Sequence, residues 1–366
     1  MGVIEDELAE VTRRCSVEMP DATILECTNI RIMVDIRQTQ SRHLVVLLCY
    51  PLDYPENKMQ LEFRSQTLSE IFMEQLANIC DDESAHFRGR PQAMNILLFI
   101  DHFLRNNPLC IVTREVFNLR KHLEGSNGTM KLRHPTSMVC LSARGGYYYF
   151  NARFFVPEGY PAEQIKWDTC TSNLPAALKL YVDGQAREIA RQCVEPPPSE
   201  VESSQPFVPI PSLERTLQFI IEALDGFDEE LCPICHEFSL PESPKEVATS
   251  DEDDRFVIRM VCGHVYHNGC LKRFLKEPPI PPDGKLCPAE RKHPRSDNIG
   301  EWRFENRSDP CRERISYDTW GTNNIQPAEV QQPTAEADLS ADAEELADAG
   351  EMADAGQPAD AEQPND

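Results

Sequence analysis

The spacing of apolar residues predicts a helix followed by several strands at the start of the chain. Ile4, Leu8 and Val11 recur at the period of an amphipathic helix. The next apolar segments are rich in Val, Leu and Ile, which is typical of strands, and a rigid turn, Pro51-Leu52-Asp53-Tyr54-Pro55, interrupts them. The predicted elements are a helix over 2–15, strands over 30–36, 43–50 and 59–63, and helices over 68–80 and 91–105.

The same order of elements recurs further along the chain. A second turn of the Pro-x-x-Tyr-Pro type, Pro157–Pro161, lies 106 residues after the first. The closing helix of each unit carries a similar motif, Leu97–Ile100 and Leu217–Ile220, 120 residues apart. The pattern therefore predicts a tandem duplication, with the Pro-, Ser- and Glu-rich segment Glu195–Ser212 as an insertion. The second set comprises strands over 137–141, 147–155 and 164–167 and helical residues over 175–193.

Charge is distributed unevenly over the 366 residues, which leave room for two or three domains. The net charge is −25, and residues 326–366 contribute twelve Asp or Glu and no Lys or Arg. This Ala- and Asp-rich tail cannot offset chain entropy by burial, so we expect it to be disordered. The remainder is mildly acidic, which argues against nucleic acid or an anionic membrane surface as a direct partner.

Cysteine usage bears on the compartment. Of the 14 cysteines, more than half are scattered singly over the first two hundred residues without a pairing pattern. We find no apolar segment of membrane-spanning length and no signal-peptide start. A reducing compartment, the cytoplasm or the nucleus, is therefore expected.

Five of the six remaining cysteines join histidines in three tight clusters between residues 232 and 287. Two thiolates held two residues apart supply half of a tetrahedral zinc site without strain, and spacing this regular rarely arises by accident. A segment of this size with two Pro-rich runs cannot bury enough apolar surface to fold unaided, so we expect metal binding to supply much of its folding free energy. The candidate ligands are Cys232, Cys235, Cys262, His264, His267, Cys270 and Cys287.

The eighth ligand is the open point of this metal prediction. Glu290 occupies the position after Cys287-Pro288-Ala289, where a further cysteine would complete the pattern. A carboxylate oxygen is an acceptable though harder zinc ligand. His293 is the second candidate and Cys311 a distant third, and a defective second site is the remaining alternative.

The cluster resembles a RING finger of the H2 type, the zinc module of ubiquitin ligases. The resemblance implies two Zn2+ ions whose ligand pairs alternate, with Cys232, Cys235, His267 and Cys270 at one and Cys262, His264, Cys287 and Glu290 at the other. It also implies an apolar groove that binds a ubiquitin-loaded E2 conjugating enzyme, without a covalent intermediate on the finger. The groove residues carried over are Ile234, Phe274 and Pro288, and Arg291 takes the position of a cation that contacts both enzyme and ubiquitin.

The duplicated unit resembles the RWD domain, a relative of the ubiquitin-conjugating fold that lacks the catalytic cysteine. Two RWD-like lobes before a RING are similar to the RWD-plus-RING ubiquitin ligases, the family of the ligase subunit of the Fanconi anaemia core complex. The expected fold class is α+β. The expected domains are RWD-like lobes at 1–123 and 124–228, the zinc finger at 229–295, an extension packed against it at 296–322, and the disordered acidic tail at 323–366.

Three functions are compatible with these residues. The leading hypothesis is a RING-type ubiquitin transferase whose lobes bind a protein substrate or complex partner. The second is a non-catalytic zinc-binding adaptor, favoured by the irregular ligand Glu290. The third is an active conjugating enzyme with Cys140 as nucleophile and His134-Pro135-Thr136 nearby. The position of Cys140 before the second Tyr-Pro turn favours instead a buried cysteine after a loop.

Overall fold

The computed structural model describes residues 2–125, 127–168, 170–196, 207–260, 262–289 and 314–315. These residues form a mixed α+β structure with two four-stranded antiparallel sheets, whose strand orders are β1-β2-β3-β4 and β5-β6-β7-β8. The predicted α+β class is confirmed. The predicted extension over 296–322, except residues 314–315, and the predicted disordered tail lie outside the described residues.

The first lobe contains a helix, the four-stranded sheet and two further helices. Its opening helix is α1 (Val3–Glu18), which carries Glu5 and Asp6 in its first turn, where acidic side chains favour the helix dipole. The strands are β1 (Ala22–Cys27), β2 (Arg31–Arg37), β3 (His43–Cys49) and β4 (Gln60–Arg64). The helices that follow are α2 (Glu70–Ser84), capped by Ser69, and α3 (Ala93–Asn106).

The second lobe repeats this order. Its first helix is α4 (Thr113–Leu123), and its strands are β5 (Thr129–Arg133), β6 (Met138–Gly145), β7 (Tyr148–Phe155) and β8 (Cys170–Ser172). Two helices follow, α5 (Ala176–Val194) and α6 (Leu213–Asp225). The predicted strand over 164–167 is wrong, because only the single bridge of Lys166 to Phe155 forms there.

Each lobe has its own hydrophobic core, in which alternate strand residues meet the helices. In the first lobe, Ile32, Val34 and Ile36 point inward from β2, as the period of two requires. The second core begins with Leu109 and includes Val116 and Leu119 of α4. The second core therefore starts before α4. The predicted boundary between residues 123 and 124 lies after that helix.

A buried glutamate fastens each Tyr-Pro turn to the closing helix of its lobe. In the first lobe, the Glu7 carboxylate accepts hydrogen bonds from Tyr54 Oη and from the backbone amides of Gln92 and Ala93 at the start of α3. Helix N-terminal amides lack partners within the helix, so a carboxylate there satisfies them. We call this arrangement the glutamate clasp.

The second lobe has the same clasp. Tyr160 Oη donates to both Glu115 oxygens at 2.7 and 2.8 Å, and the Glu214 amide donates to Glu115 Oε2 at 2.9 Å. The Leu213 amide donates to Tyr160 Oη at 3.1 Å. The duplication that the two turns predict is therefore present in the atomic contacts as well as in the order of elements.

Candidate metal centre

The candidate ligands lie on a short knuckle, a hairpin, a helix and a following strand. The knuckle carries Cys232 and Cys235, and the hairpin consists of β9 (Val257–Arg259) and β10 (Val265–His267), with Tyr266 opposite Ile258. Gly263 in the connecting turn has φ +88°, a conformation that favours glycine. Helix α7 (Asn268–Lys276) carries Cys270, and Cys287 follows β11 (Lys285–Leu286), which pairs with β12 (Arg314–Ile315).

The N-terminus of α7 is tied to an acidic loop. The Asn268 side-chain amide donates to the carbonyls of Asp251 and Asp253 at 2.7 and 3.1 Å, and the Asn268 backbone amide donates to Phe256. The Gly269 amide donates to the Asp254 carbonyl at 2.9 Å. These bonds satisfy the first amides of the helix. They also fix the turn on which His267 and Cys270 are placed.

The first group of candidate ligands comprises Cys232, Cys235, His267 and Cys270, whose ligand atoms all lie within 4.8 Å of one another. His267 Nδ1 lies 3.4 Å from Cys235 Sγ. The other ring nitrogen, Nε2, lies 3.1 Å from the carbonyl oxygen of Phe238. A hydrogen bond from Nε2 to that carbonyl leaves Nδ1 free to bind a metal, which is the usual arrangement of a ligating histidine.

The second group comprises Cys262, His264 and Cys287, all buried. His264 Nδ1 lies 3.4 Å from the sulfur of each cysteine, and the two sulfurs are 3.8 Å apart. A sulfur–sulfur distance this long excludes a disulfide, whose bond is about 2.05 Å.

The spacing of these atoms fits a tetrahedral ion. Zinc bonds of about 2.3 Å to sulfur and about 2.0 Å to nitrogen place two thiolates about 3.8 Å apart and a thiolate about 3.5 Å from an imidazole nitrogen. The three distances in the second group match these values, and the His267–Cys235 distance in the first group matches the sulfur–nitrogen value. Both groups can therefore hold a metal ion, and thiolates with imidazoles suit zinc.

The protonation of the thiols also favours a cation. In the first group, burial and the neighbouring Cys232 and Cys235 raise the pKa of Cys270 to about 12. Burial likewise opposes ionisation of Cys232, but hydrogen bonds from His267 and from nearby backbone amides outweigh it and lower the Cys232 pKa to about 6. Because the Cys232 thiolate hinders ionisation of Cys270, a bound dication is what would hold both in the ligating form.

Two side chains outside the ligand set contact the ligand sulfurs. Tyr266 is fully buried, and its hydroxyl lies 2.8 Å from Cys287 Sγ. Arg273 donates to Cys270 Sγ at 3.6 Å. Hydrogen bonds to a ligand thiolate orient the sulfur and reduce the negative charge that it presents to a metal ion. The spacing pattern of the ligands carries no signal for these contacts.

Four predicted site residues lie outside the described part of the chain: Glu290, Arg291, His293 and Cys311. The structure therefore brings seven of the eight predicted ligands into two groups. The choice of the eighth stays a prediction.

The predicted groove residues lie on the surface of residues 232–289, the candidate metal-binding segment. Ile234 and Phe274 are half-buried and pack against the same apolar cluster, while Pro288 is exposed. Leu271 and Leu275 form the inward face of α7, as their spacing predicts. Lys285, which the sequence patterns did not single out, places its ammonium 4.7 Å from the centre of the Phe274 ring and donates to the carbonyls of Phe274 and Glu277.

The hairpin of β9 and β10 packs both against the candidate metal cluster and against the second lobe. Val257 and Val265 of the hairpin belong to the second core, whereas Ile258 and Tyr266 face the metal cluster. The Arg259 guanidinium stacks 3.2 Å from the centre of the Tyr181 ring of α5. Its burial lowers the Arg259 pKa. The hairpin therefore has one face in each core.

Cys140 lies half-buried within β6. The expectation that it is buried is thus corrected, because it points away from the core between Lys131 and Arg153 on the neighbouring strands. His134 lies in a short 3-10 turn before β6.

A comparison of the chain with models of protein families and with curated proteins found no match. Among the described helices, none combines the length and the apolar character that crossing a membrane requires.

Proposed function

We propose that this protein is a RING-type ubiquitin ligase that binds two zinc ions. The supporting observation is the alternation of the ligand groups along the chain. Cys232 and Cys235 share a group with His267 and Cys270, while the residues between these pairs, Cys262 and His264, join Cys287. Ligand pairs that alternate in this way are the arrangement of the RING finger that the sequence resembles.

In this proposal, the metal ions hold the knuckle and α7 in place so that Ile234, Phe274 and Pro288 face a ubiquitin-conjugating enzyme. Half-buried apolar side chains beside polar ones are a usual protein-binding surface. Arg291 would contact the enzyme and its ubiquitin. The two lobes, each with the element order expected of an RWD domain, would bind a substrate or a complex partner.

The direct test is the discharge of ubiquitin from a loaded conjugating enzyme. Ile234→Ala and Arg291→Ala are each expected to slow discharge about tenfold, because each removes a contact made to the loaded enzyme. Val17→Ala and Arg88→Ala are the matched controls, since both residues are exposed and lie in the first lobe. Unchanged discharge in the two site variants would contradict the proposal, as would slowing in the controls of the same size.

One observation favours the adaptor as a second candidate. Phe274 is a side chain that would meet the conjugating enzyme, and Lys285 lies over its ring. The ammonium thus covers part of the surface that a ligase would use. If the chain is an adaptor, no conjugating enzyme is discharged in its presence, and metal analysis by mass spectrometry finds one zinc per chain. Two zinc ions per chain together with discharge would favour the ligase.

A further inference from the structure

The outer face of the second sheet is basic, although the chain as a whole is acidic. Strands β5 to β8 contain four Lys or Arg and no Asp or Glu, although the chain as a whole carries a net charge of −25. All four cations are exposed and lie on the face opposite the core. They are Lys131, Arg133, Arg144 and Arg153, and we call this surface the basic face.

The strand register sets the spacing of these charges. Lys131, Cys140 and Arg153 form one row across β5, β6 and β7. Neighbouring strands are about 4.8 Å apart, so the backbone positions of Lys131 and Arg153 are about 10 Å apart. Arg133 lies two residues from Lys131 on the same strand, at about 7 Å. Lys131, Arg133 and Arg153 thus form a triangle of charges and do not converge on one point.

These cations have no acidic partner in the described part of the chain. None of the four forms a salt bridge with a described residue, whereas Arg14, Arg105 and Arg191 each pair with two carboxylates. Lys166, at the margin of the face, is paired with Glu163. Unpaired like charges side by side repel one another, and a partner of opposite charge would relieve that repulsion.

Apolar side chains lie between the charges. Phe155 keeps 39% of its surface exposed, and half-buried Met138 lies beside it in the row that begins with Arg133. A surface of this kind suits a partner that offers carboxylates and apolar groups together.

We propose that the basic face binds an extended acidic segment of a partner protein. In an extended segment, alternate side chains lie on one side and are about 7 Å apart, which matches the spacing of Lys131 and Arg133. Carboxylates there would accept charge-assisted hydrogen bonds from the guanidinium groups. This proposal goes beyond the ligase function and does not depend on it.

Nucleic acid fits this face less well than a short acidic segment. At physiological ionic strength charges are screened beyond about 8 Å, so a segment confined to the face responds mainly to its cations. A nucleic acid extends further and would meet the acidic remainder of the surface, which repels it.

The experiment measures binding of a fluorescein-labelled peptide of alternating Glu and Ala to the full chain by fluorescence anisotropy. The combined variant Lys131→Glu, Arg133→Glu, Arg153→Glu is expected to weaken binding about tenfold or more. The matched control changes the net charge equally at exposed arginines off the face: Arg13→Glu, Arg88→Glu and Arg114→Glu. The control is expected to change the affinity by less than about twofold, and raised salt should weaken binding to the wild type.

A neutral variant, Lys131→Gln, Arg133→Gln, Arg153→Gln, covers the case in which three glutamates disturb the sheet. It should keep the wild-type circular dichroism spectrum and show an intermediate loss of affinity. Equal loss in the face and control variants would overturn the proposal, as would no binding at low salt. Tighter binding of a single-stranded DNA of similar length, lost in the face variant, would overturn the choice of partner.

Discussion

At the scale of single residues, the two clasp glutamates occupy equivalent positions, and the structure changes the protonation of Glu115. Burial raises the pKa of Glu115 to about 7, although the hydrogen bond from Tyr160 opposes this shift. The charge of Glu214 acts in the same direction as burial. Glu115 thus holds a proton in the folded protein at a pH where an unfolded glutamate has released it.

This shift predicts a dependence of stability on pH. Because the folded-state pKa is raised, the contribution of Glu115 to the free energy of unfolding is fully present below about pH 4 and decreases as the pH rises to about 7. The total change is about 3 kcal/mol. Urea unfolding followed by tryptophan fluorescence would measure it, because Trp167 lies in the second core.

The control for this measurement is Glu115→Gln, which keeps the side-chain size but cannot titrate. The unfolding free energy of the wild type minus that of the variant should fall by about 3 kcal/mol from pH 4.5 to pH 8. Glu74→Gln, at an exposed position on α2, should show no such trend. A constant difference for Glu115→Gln over this range would show that the carboxyl has an ordinary pKa.

At the scale of elements, the hairpin of β9 and β10 connects the metal-binding segment to the second lobe. Alternate residues of a strand point to opposite faces, so Val257 enters one core and Ile258 the other. Arg259 extends this contact through its stacking on Tyr181. A planar guanidinium stacks on a ring in a way that an ammonium does not.

Arg259→Ala is therefore expected to destabilise the second lobe by about 2 kcal/mol, since it removes both the cation–π contact and the packing of the aliphatic stem. Thermal unfolding would show this as a lower midpoint, with the metal content of the protein unchanged because every candidate ligand remains. Arg255→Ala, at an exposed position in the preceding loop, should change the unfolding free energy by less than about 0.5 kcal/mol. An unchanged midpoint in Arg259→Ala would argue that the stacked contact contributes nothing.

At the scale of the whole molecule, the hairpin that packs into both cores predicts that the two lobes respond unequally to metal removal. If the two ligand groups hold metal, its removal breaks the metal–ligand bonds that order the hairpin, and the second core then loses the packing of Val257 and Val265. As far as the described residues go, the core of the first lobe contains none from the metal-binding segment.

Hydrogen exchange before and after treatment with a strong chelator would measure this response. We expect amides of α5 and β7 to lose protection, since α5 contacts β9 and Tyr148 of β7 donates to the Pro241 carbonyl. Amides of β2 and β3 should keep theirs. Equal loss of protection in both sheets, or loss confined to residues 232–287, would contradict the coupling of the second lobe to the metal-binding segment through the hairpin.

Much of this fold could be predicted because its signals are local. Helices α1 and α3 and strands β2 and β3 follow directly from the spacing of apolar residues. Strand β1 and helix α4 were missed for different reasons: Ala22–Cys27 shows no clean alternation of polar and apolar residues, whereas in Thr113–Leu123 the helical spacing of Val116, Leu119 and Leu123 is a local signal that the prediction did not use. What decides the structure of β1 is its pairing with β2.

By itself, the sequence determined the seven candidate ligands and the duplication, because both can be recognised from spacing along the chain. A Cys-x-x-Cys knuckle is complete within four residues, and each Tyr-Pro turn within five. Only the tertiary structure decided the clasps, the two-faced hairpin and the basic face. Each of these depends on residues far apart in the chain, such as Glu115 and Tyr160 or Lys131 and Arg153. Strand register and helix packing bring such residues together, and neither leaves a signal in the local sequence.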